Sequence, residues 1–384
     1  MVRTWDIFCS VVDNFGDVGV CWRLARERAS NHGASVRLWV DDLASLNRLC
    51  HAVDASSPLQ SVAGVELRSW DPSDKVPLAD VAIGDIVIEG FGVRLPDALV
   101  QAMARRSPHP VWVNLEYLSA EDWVESCHGL PSPQANVALT KYFFFPGFTR
   151  PTGGLIVEHG LARARDAFQS DANAIAAFRR KLGLHDVARD ARWVSLFCYD
   201  NAALPSLVEA WSASSQAVVC VATEGNAWAQ LAAIVGKSLK PGARHAEGAL
   251  TIAAIPFLEQ DDYDRLLWSC GANFVRGEDS FVRAQLAARP MVWQAYPQKD
   301  EAHLDKLAAF TGLYQKGLEA KAAAAQAAMF DAWNRQSGEV GARWQALDPH
   351  REVLAAHARG WAARLAQEES LVNRLAQFCE NKIK

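Results

Sequence analysis

The chain has 384 residues, of which 50% are hydrophobic and 22% charged, and its formal net charge is −5. This length exceeds what one hydrophobic core usually organises, so we expect two domains of ordinary globular composition. No dense run of Lys and Arg is present, which excludes the basic footprint that sequence-independent nucleic-acid binding requires.

In the first half of the chain, continuous apolar runs alternate with helical segments. Such runs are typical of parallel strands that are buried on both faces, with helices covering the sheet. The pattern predicts strands at residues 5–12, 36–40, 85–89 and 111–115, and helices at residues 18–30 and 96–106. Residues 119–152 are rich in aromatic residues and proline, and we interpret them as irregular structure over the sheet edge or lining an interdomain cleft.

The alternation begins again after a predicted helix at residues 172–184. The pattern predicts further strands at residues 193–197, 217–221, 250–255, 273–275 and 291–294. From residue 349 onward, apolar residues fall on one face of a single long helix.

This order of elements predicts an α/β protein of the GT-B outline, with two Rossmann-like domains facing a cleft and a long C-terminal helix. The predicted domains are residues 1–185, which would hold one substrate, and residues 186–350, followed by a terminal helix at residues 351–384 that can pack back on the first domain. Several classes of two-domain enzyme share this outline, so the fold alone does not define the function.

The termini and the cysteines predict a cytoplasmic protein. Neither a signal-type segment nor an apolar stretch of membrane-spanning length is present, so we expect no membrane partner. The eight cysteines are scattered without a CxxC pair, which favours buried reduced thiols over a zinc site. Asp262 and Asp264 form a DxD pattern, but residues two apart on a helix point to different faces, so we attribute the pattern to chance and predict no metal site.

The first candidate site is the loop with sequence DNFGDVG at residues 13–19, between the first strand and the first helix. Open α/β sheets bind ligands beyond the carboxyl ends of their strands, so the loop lies where a ligand is expected. Asp13 and Asp17 would repel a phosphate and suit a cationic or hydroxyl-bearing substrate. A structural role fits the spacing as well, with Asp17 capping the helix and Asp13 forming the turn.

The second candidate site has the sequence RGEDSFVR at residues 276–283, again between a strand and a helix. Arg276 supplies positive charge, Ser280 can cap the helix, and the helix N-terminus favours a diphosphate. Glu278 can accept hydrogen bonds from sugar hydroxyls. An ordinary capped helix with surface charges is the alternative interpretation.

Two neighbouring segments, residues 256–263 and 293–300, also follow predicted strands of the second sheet. We therefore expect all three loops to converge on one sheet edge. Phe257 and Tyr263 offer ring faces for stacking on a base, and Gln260 can recognise the edge of a pyrimidine.

These segments together resemble a known family. The diagnostic strings are IFCSVVDNFGDVGV at residues 7–20, WRLAR at 22–26, RGEDSFVRAQ at 276–285 and YPQ at 296–298, with His303 beyond them. The chain resembles, over essentially its whole length, the EarP family of protein-arginine rhamnosyltransferases that act on translation elongation factor P. The resemblance implies an inverting GT-B enzyme that uses dTDP-β-L-rhamnose, with the acceptor protein on the N-terminal domain and the nucleotide sugar on the C-terminal domain.

The resemblance also implies roles for individual residues. Asp17 matches the proposed general base, Asp13 a second carboxylate that matters for acceptor or sugar, and Glu278 an essential acid on the donor side. The other expected donor-binding residues are Asn14, Phe15, Gly16, Tyr199, Phe257, Gln260, Tyr263, Arg276, Asp279 and Ser280. Arg276 and the helix that Ser280 opens can stabilise a leaving diphosphate, so we expect no metal or other cofactor.

Three other functions stay open at this point. A different nucleotide-sugar transferase or an epimerase acting on a small molecule would share the two-domain form. An NAD-dependent oxidoreductase is disfavoured, because the first two glycines of the GxGxxG fingerprint are absent. A non-catalytic adaptor that senses a nucleotide and binds elongation factor P without modifying it is the third.

Overall fold

The computed structural model describes residues 2–11, 15–71, 82–185 and 190–383. The chain divides into two compact units: residues 1–159 together with residues 368–384, and residues 160–367. Within the described ranges, no helix is both long enough and apolar enough to cross a membrane.

The first unit contains one sheet of eight described strands. They are β1 (Thr4–Cys9), β2 (Ser35–Val40), β3 (Leu59–Val62), β4 (Val65–Ser69), β5 (Ile86–Gly90), β6 (Val111–Leu115), β7 (Pro131–Pro133) and β8 (Thr140–Phe144). Their order is β3-β4-β2-β1-β5-β6-β8-β7. Neighbours run parallel except for the pairs β3–β4 and β7–β8. The loops that follow β1, β2, β5 and β6 therefore share one edge of the sheet.

Four helices precede or connect these strands: α1 (Gly16–His32), α2 (Leu43–Leu49), α3 (Asp97–Arg105) and α4 (Trp123–Cys127). α1 ends at Gly33, whose φ of 59° is a left-handed conformation that glycine adopts without a Cβ clash. The Asp42 side chain begins α2 by accepting hydrogen bonds from the backbone N–H groups of Ala44 and Ser45. All strands and helices predicted in this half are present, with ends shifted by a few residues.

A buried carboxylate lies in the middle of β1. Asp6 is 3% exposed and accepts hydrogen bonds from Arg37 Nε at 2.6 Å and Arg37 Nη2 at 2.7 Å. Trp39 Nε1 and the backbone N–H of Gly84 also donate to Asp6, at 3.0 and 2.7 Å. A buried charge is costly unless it is paired and hydrogen-bonded, and these four bonds satisfy Asp6. Asp6 therefore stabilises the sheet.

Residues 119–152 hold more regular structure than predicted, because α4, β7 and β8 lie within them. β8 extends the sheet beside β6, so the prediction of irregular structure is wrong for this strand. The aromatic run at residues 142–145 favours a strand. Pro131 and Pro133 are compatible with β7 because it is an edge strand, where a missing backbone N–H is tolerated.

The second unit contains a sheet of six described strands. They are β9 (Arg192–Leu196), β10 (Val218–Thr223), β11 (Arg244–Glu247), β12 (Leu250–Ile255), β13 (Ala272–Arg276) and β14 (Met291–Gln294). Their order is β11-β12-β10-β9-β13-β14, and only β11 runs antiparallel to its neighbour. The five strands predicted for this half are all present, and β11 is the additional one.

The helices of the second unit surround this sheet. They are α5 (Leu161–Ser170), α6 (Ala172–Lys181), α7 (Leu204–Ser212), α8 (Asn226–Val235), α9 (Gln260–Ser269), α10 (Asp279–Leu286), α11 (Ala302–Tyr314), α12 (Ala320–Asn334), α13 (Val340–Ala346) and α14 (Arg351–Gln367). The sequence predicts a domain boundary at residue 185, whereas the structure assigns α5 and α6 to the second unit. The physical reason is packing, because Phe178 and Leu184 share a core with Trp193 and Val221.

The C-terminal segment forms two helices. The predicted long helix is present as α14 and ends at Gln367, and α15 (Leu371–Lys382) follows it. The prediction of one continuous helix is wrong at residues 368–370, where the backbone turns away and Leu371 N–H donates to the carbonyl of Leu155 at 2.8 Å. α14 belongs to the second unit and α15 to the first, so their apolar faces are buried in different units.

Candidate functional site

The three predicted loops of the second unit follow the carboxyl ends of β12, β13 and β14, which run parallel in one sheet. The loop after β9, which carries Tyr199, follows the same edge. The prediction that these loops share one edge is therefore confirmed. The residues expected to bind a donor in this unit lie in these loops, in the first turns of α9 and α10 or, in the case of Arg276, at the last position of β13.

The turn from β13 into α10 is held by its own side chains. Gly277 has a φ of 63°, and its carbonyl accepts a hydrogen bond from Trp293 Nε1 at 2.8 Å. Ser280 Oγ accepts from the backbone N–H of Arg276 at 3.2 Å and donates to the carbonyl of the same residue. These two hydrogen bonds stabilise the turn. Ser280 is the second residue of α10, and Glu278 occupies the N-cap position. The prediction that Ser280 caps the helix is wrong for this reason.

The guanidinium of Arg276 lies against two aromatic rings. Its Cζ atom is 4.6 Å from the ring centroid of Phe197 and 4.2 Å from that of Tyr199. Tyr199 is held in turn, because its backbone N–H donates to Gln294 Oε1 at 2.9 Å and its ring meets Tyr296 edge-on at 5.4 Å. Such cation–π contacts fix the orientation of the guanidinium.

Two predicted residues on α9 lie beside this turn, Gln260 buried and Tyr263 partly buried. Gln260 is 3% exposed and begins the helix, and Tyr263 packs edge-on against Phe197 at a centroid distance of 5.8 Å. Burial raises the pKa of the Tyr263 phenol well above its ordinary value, and the neighbouring hydroxyl of Ser280 only partly offsets this. The phenol therefore stays neutral at physiological pH and keeps its O–H donor. Phe257, in the loop before α9, is half-buried.

The DxD pattern on α9 consists of two structural carboxylates. Asp264 accepts from Arg283 Nε at 2.9 Å and from Arg283 Nη2 at 2.6 Å, and both side chains are buried. Asp262 pairs with Lys181 and, at 2.7 Å, with Arg265. These ion pairs agree with the interpretation of the pattern as chance. Among the described residues no group of three or more His, Cys, Asp or Glu side chains gathers as metal ligands, and independence from metal stays a prediction.

In the first unit, Asp17 lies in the first turn of α1 and is 4% exposed. A carboxylate at this position is stabilised by the helix dipole. The segment that leads into the loop is anchored by Asp41, which accepts a hydrogen bond from Val11 N–H at 2.9 Å and another from the Ser10 hydroxyl. The pKa of the Cys9 thiol is raised by its contact with Cys21 and by burial, with a smaller contribution from the nearby charge of Asp17. Asp17 therefore sits directly beyond the carboxyl end of β1.

The remaining predicted residues of this loop divide into two groups. Asp13 and Asn14 lie outside the described residues. Phe15 precedes α1 and has the guanidinium carbon of Arg48 5.5 Å from its ring centroid, and Gly16 is the first residue of the helix. Phe15 and Gly16 thus belong to the first unit, whereas the other described donor-binding candidates belong to the second.

An aromatic pair that the sequence did not suggest lies at the same edge as Asp17. Phe91 follows β5 and stacks on Tyr117, which follows β6, with a centroid distance of 4.8 Å. Phe91 has a φ of 58°, which is unusual for a bulky residue, and Tyr117 is 41% exposed. Asn114 holds this turn by accepting from Gly92 N–H at 3.1 Å. Backbone strain of this kind clusters at functional sites. No sequence pattern predicts such a backbone conformation for a phenylalanine.

Two mostly parallel sheets, with polar loops at their carboxyl edges and a cationic helix N-terminus in the second, are the arrangement found in GT-B glycosyltransferases. The family model described as "Elongation-Factor P (EF-P) rhamnosyltransferase EarP" matches residues 5–380. The chain belongs to the EarP family.

Curated relatives carry a consistent name. The chain is 48% identical over 384 residues to "Protein-arginine rhamnosyltransferase" of Pseudomonas putida, with 100% of each chain covered. It is 46% identical over 378 residues to the protein of that name from Pseudomonas aeruginosa, covering 98% of this chain and 99% of the relative. The prediction of a protein-arginine rhamnosyltransferase is therefore confirmed.

Solved structures agree with the fold. The structure described as "Structural basis for EarP-mediated arginine glycosylation of translation elongation factor EF-P" matches with a TM-score of 0.70 and 36% identity, covering 99% of both chains. A structure of HepE from Anabaena in complex with UDP-glucose matches with a TM-score of 0.50, 10% identity and 99% coverage of both chains, and this likeness concerns the fold alone. The prediction of a GT-B fold is confirmed.

Proposed function

We propose that this enzyme transfers L-rhamnose from dTDP-β-L-rhamnose to a guanidinium nitrogen of an arginine in translation elongation factor P, with inversion at the anomeric carbon. The observation that carries the proposal is the match along the whole chain to relatives named protein-arginine rhamnosyltransferase. The structural relative whose description names elongation factor EF-P supports the choice of acceptor.

On the donor side, the turn from β13 into α10 is suited to the diphosphate. The N-terminus of α10 favours an anion, and Arg276 adds a full positive charge beside it. Asp279 and Ser280 lie in the first turn, and we assign them to the diphosphate with Arg276. Glu278, at the N-cap position, would accept hydrogen bonds from rhamnose hydroxyls. As the bond between the anomeric carbon and the diphosphate oxygen breaks, Arg276 and the N-terminus of α10 would stabilise the growing negative charge on dTDP.

The thymidine would lie among the aromatic residues of the same edge. We assign Tyr199, Phe257 and Tyr263 to the nucleoside, since their rings offer apolar faces beside the anion-binding turn. Gln260, at the first position of α9, presents an amide that can both donate to and accept from a pyrimidine.

On the acceptor side, the nucleophile is a cation that is hard to deprotonate, because the pKa of arginine in proteins exceeds about 12. Asp17 would bind the guanidinium by charge-assisted hydrogen bonds and accept its proton while the new C–N bond forms. Asp13 would supply the second carboxylate that fixes the plane of the guanidinium. The exposed ring of Tyr117, backed by Phe91, offers a cation–π surface at the same sheet edge.

Intact-protein mass spectrometry tests the proposal. Elongation factor P is incubated with the enzyme and dTDP-β-L-rhamnose, and we expect its mass to rise by one deoxyhexose residue without added divalent cation. A matched factor whose acceptor arginine is replaced by lysine should stay unmodified. NMR of the modified peptide should show the α-anomer, because an inverting reaction starts from the β-configured donor.

Other outcomes would assign another function. An unchanged mass of elongation factor P, together with hydrolysis or transfer of rhamnose to a small molecule, would establish a small-molecule transferase. Tight binding of the factor without any turnover would indicate an adaptor. A requirement for a divalent cation would contradict the proposed role of Arg276 and α10 as the sole stabilisers of the diphosphate.

A further inference from the structure

A cavity lies in the second unit, away from the sheet edge that carries the candidate donor site. It has a volume of about 510 Å³, and its lining includes the first residues of β9, β13 and β14. It therefore occupies the amino edge of the sheet, whereas the donor-binding candidates occupy the carboxyl edge. The polar residues that define this basic cavity are Arg179, Arg192, Arg289, Arg351 and Gln326.

The charge in the basic cavity is poorly balanced. Four guanidinium groups line it, and Glu352 is the only carboxylate among the lining residues that the structure describes. Asp348 lies near by and is already bound to Arg192, with Nη1 and Oδ1 2.5 Å apart. Arg351 donates to the neutral amide of Gln216 at 2.8 Å. The charge excess therefore rests on Arg179 and Arg289.

These two arginines are also incompletely hydrogen-bonded. Among the described residues, the buried Nε atoms of Arg179 and Arg289 have no acceptor. Burial lowers the pKa of both guanidiniums, and Arg359 and Arg165 add repulsion at Arg289. Both guanidiniums are partly buried, so a bound anion would offset part of the desolvation of their charge.

The rest of the lining is apolar and aromatic. The guanidinium carbon of Arg179 lies 3.7 Å from the ring centroid of Trp193, and that of Arg192 lies 3.9 Å from Trp344. Met329 and Phe330 complete this wall. An anion that also carries an apolar body would contact both the arginines and this lining.

One more polar group points to a ligand. Gln326 is 4% exposed, and its Oε1 atom accepts no hydrogen bond from the described residues. A buried acceptor that is left unpaired loses the hydrogen bond it would make to water. A ligand with a hydroxyl or N–H group would satisfy it. The volume also falls within the range of about 300–1,000 Å³ that is usual for small-molecule sites.

We propose that the basic cavity is a second ligand site, which binds a small organic anion with an aromatic or other apolar body. The acidic group would bind Arg179 and Arg289, and the body would lie against the Trp193 and Phe330 wall. This site is separate from the donor and acceptor sites of the proposed function and does not depend on them.

Calorimetric titration of the full-length protein with phenyl phosphate tests the proposal. The titration is made in the presence of saturating dTDP, so that the donor edge is occupied, and inorganic phosphate and phenol serve as separate arms. We expect phenyl phosphate to bind with a dissociation constant below about 1 mM, and each fragment arm to bind at least about tenfold more weakly. Equal binding of inorganic phosphate would overturn the apolar part of the proposal, and loss of the signal with dTDP would place the probe at the donor edge.

Two variants locate the probe. Arg289→Met keeps the apolar stem and removes the charge, so we expect at least about a tenfold loss of phenyl phosphate affinity, without a fall in the melting temperature of the ligand-free protein. Arg343→Met, at an exposed arginine outside the lining that pairs with Glu339, is the matched control and should bind as the parent does. Gln326→Glu would introduce a carboxylate beside the guanidiniums, raise the melting temperature and abolish binding of the probe. Unchanged affinity in Arg289→Met, or a melting temperature lowered in both cavity variants, would show that the cavity is structural.

Discussion

Asp17 combines two properties that suit a base for a cationic nucleophile. It is 4% exposed, and it lies in the first turn of α1, where the helix dipole is favourable to a negative charge. It can therefore orient the guanidinium and take its proton in the same geometry.

Asp17→Asn tests this role at the residue scale. The amide keeps the shape of the side chain but cannot accept the proton, so we expect kcat for rhamnose transfer to fall by a factor of about 10²–10⁴. The dissociation constant for dTDP should change less than about twofold, because the donor would bind in the other unit. Kinetics of transfer and calorimetry of dTDP binding measure the two quantities.

Glu27→Gln is the matched control, since it makes the same charge change on the same helix. Glu27 is 7% exposed, and its carboxylate accepts from Asn31 Nδ2 at 2.9 Å and from His159 N–H at 3.0 Å. We expect this variant to lose stability but to keep most of kcat. If both variants lose kcat and melting temperature alike, Asp17 is structural.

At the scale of single elements, the apolar patterns predict most of the fold correctly. Runs such as residues 111–115 and 250–255 are buried on both faces, and that burial is what makes them continuous in the sequence. β8 is missed because the prolines before and after it suggest a loop, although its own aromatic run favours a strand once β6 is known to lie beside it. The sequence predicts the ends of helices less well. It allows Ser280 to cap α10, whereas in the structure the Ser280 hydroxyl donates to the carbonyl of Arg276.

Gly277 gives the turn from β13 into α10 a backbone conformation that favours glycine. Its φ of 63° places it in the left-handed region, where a Cβ costs about 1–2 kcal/mol. We expect Gly277→Ala to lower the free energy of unfolding by about that amount and to weaken dTDP binding about tenfold or more, because the strain is relieved by moving the turn. Urea unfolding and calorimetry measure the two effects.

Gly236 provides the matched control for this element. It ends α8 with a φ of 64°, and an added Cβ would meet nothing within 4 Å. Gly236→Ala should therefore show the same loss of stability with unchanged dTDP affinity. Equal affinity for dTDP in both alanine variants would remove the β13–α10 turn from the donor site.

At the scale of the whole molecule, the division into units is the feature that local patterns predict least well. The boundary expected at residue 185 differs from the observed one because α5 and α6 pack in the second unit, and helical periodicity does not say which core a helix joins. The same holds for the C-terminus, where one amphipathic pattern covers α14 and α15 although they belong to different units. Only long-range packing distinguishes these cases.

α15 completes the first unit from the far end of the chain, so removing it should damage that unit selectively. Its buried residues are Leu371, Val372, Leu375, Ala376 and Cys379. Burying each large apolar side chain contributes about 1.5–3 kcal/mol, and the sum for the helix is comparable to the whole stability of a domain. We expect a protein truncated after residue 367 to lose rhamnose transfer while its second unit still binds dTDP.

A single substitution in α15 tests the same prediction with a smaller loss of stability. Leu375 is 0% exposed, so Leu375→Ala should lower the free energy of unfolding of the first unit by about 2–5 kcal/mol. Asn373→Ala, on the exposed face of the same helix, should change it by less than about 0.5 kcal/mol. Hydrogen exchange resolves the two units, and protection should fall in β1, β2 and α1 while the strands of the second unit keep theirs. A uniform loss of protection across both units would mean that they unfold as one cooperative body and that α15 stabilises the whole chain.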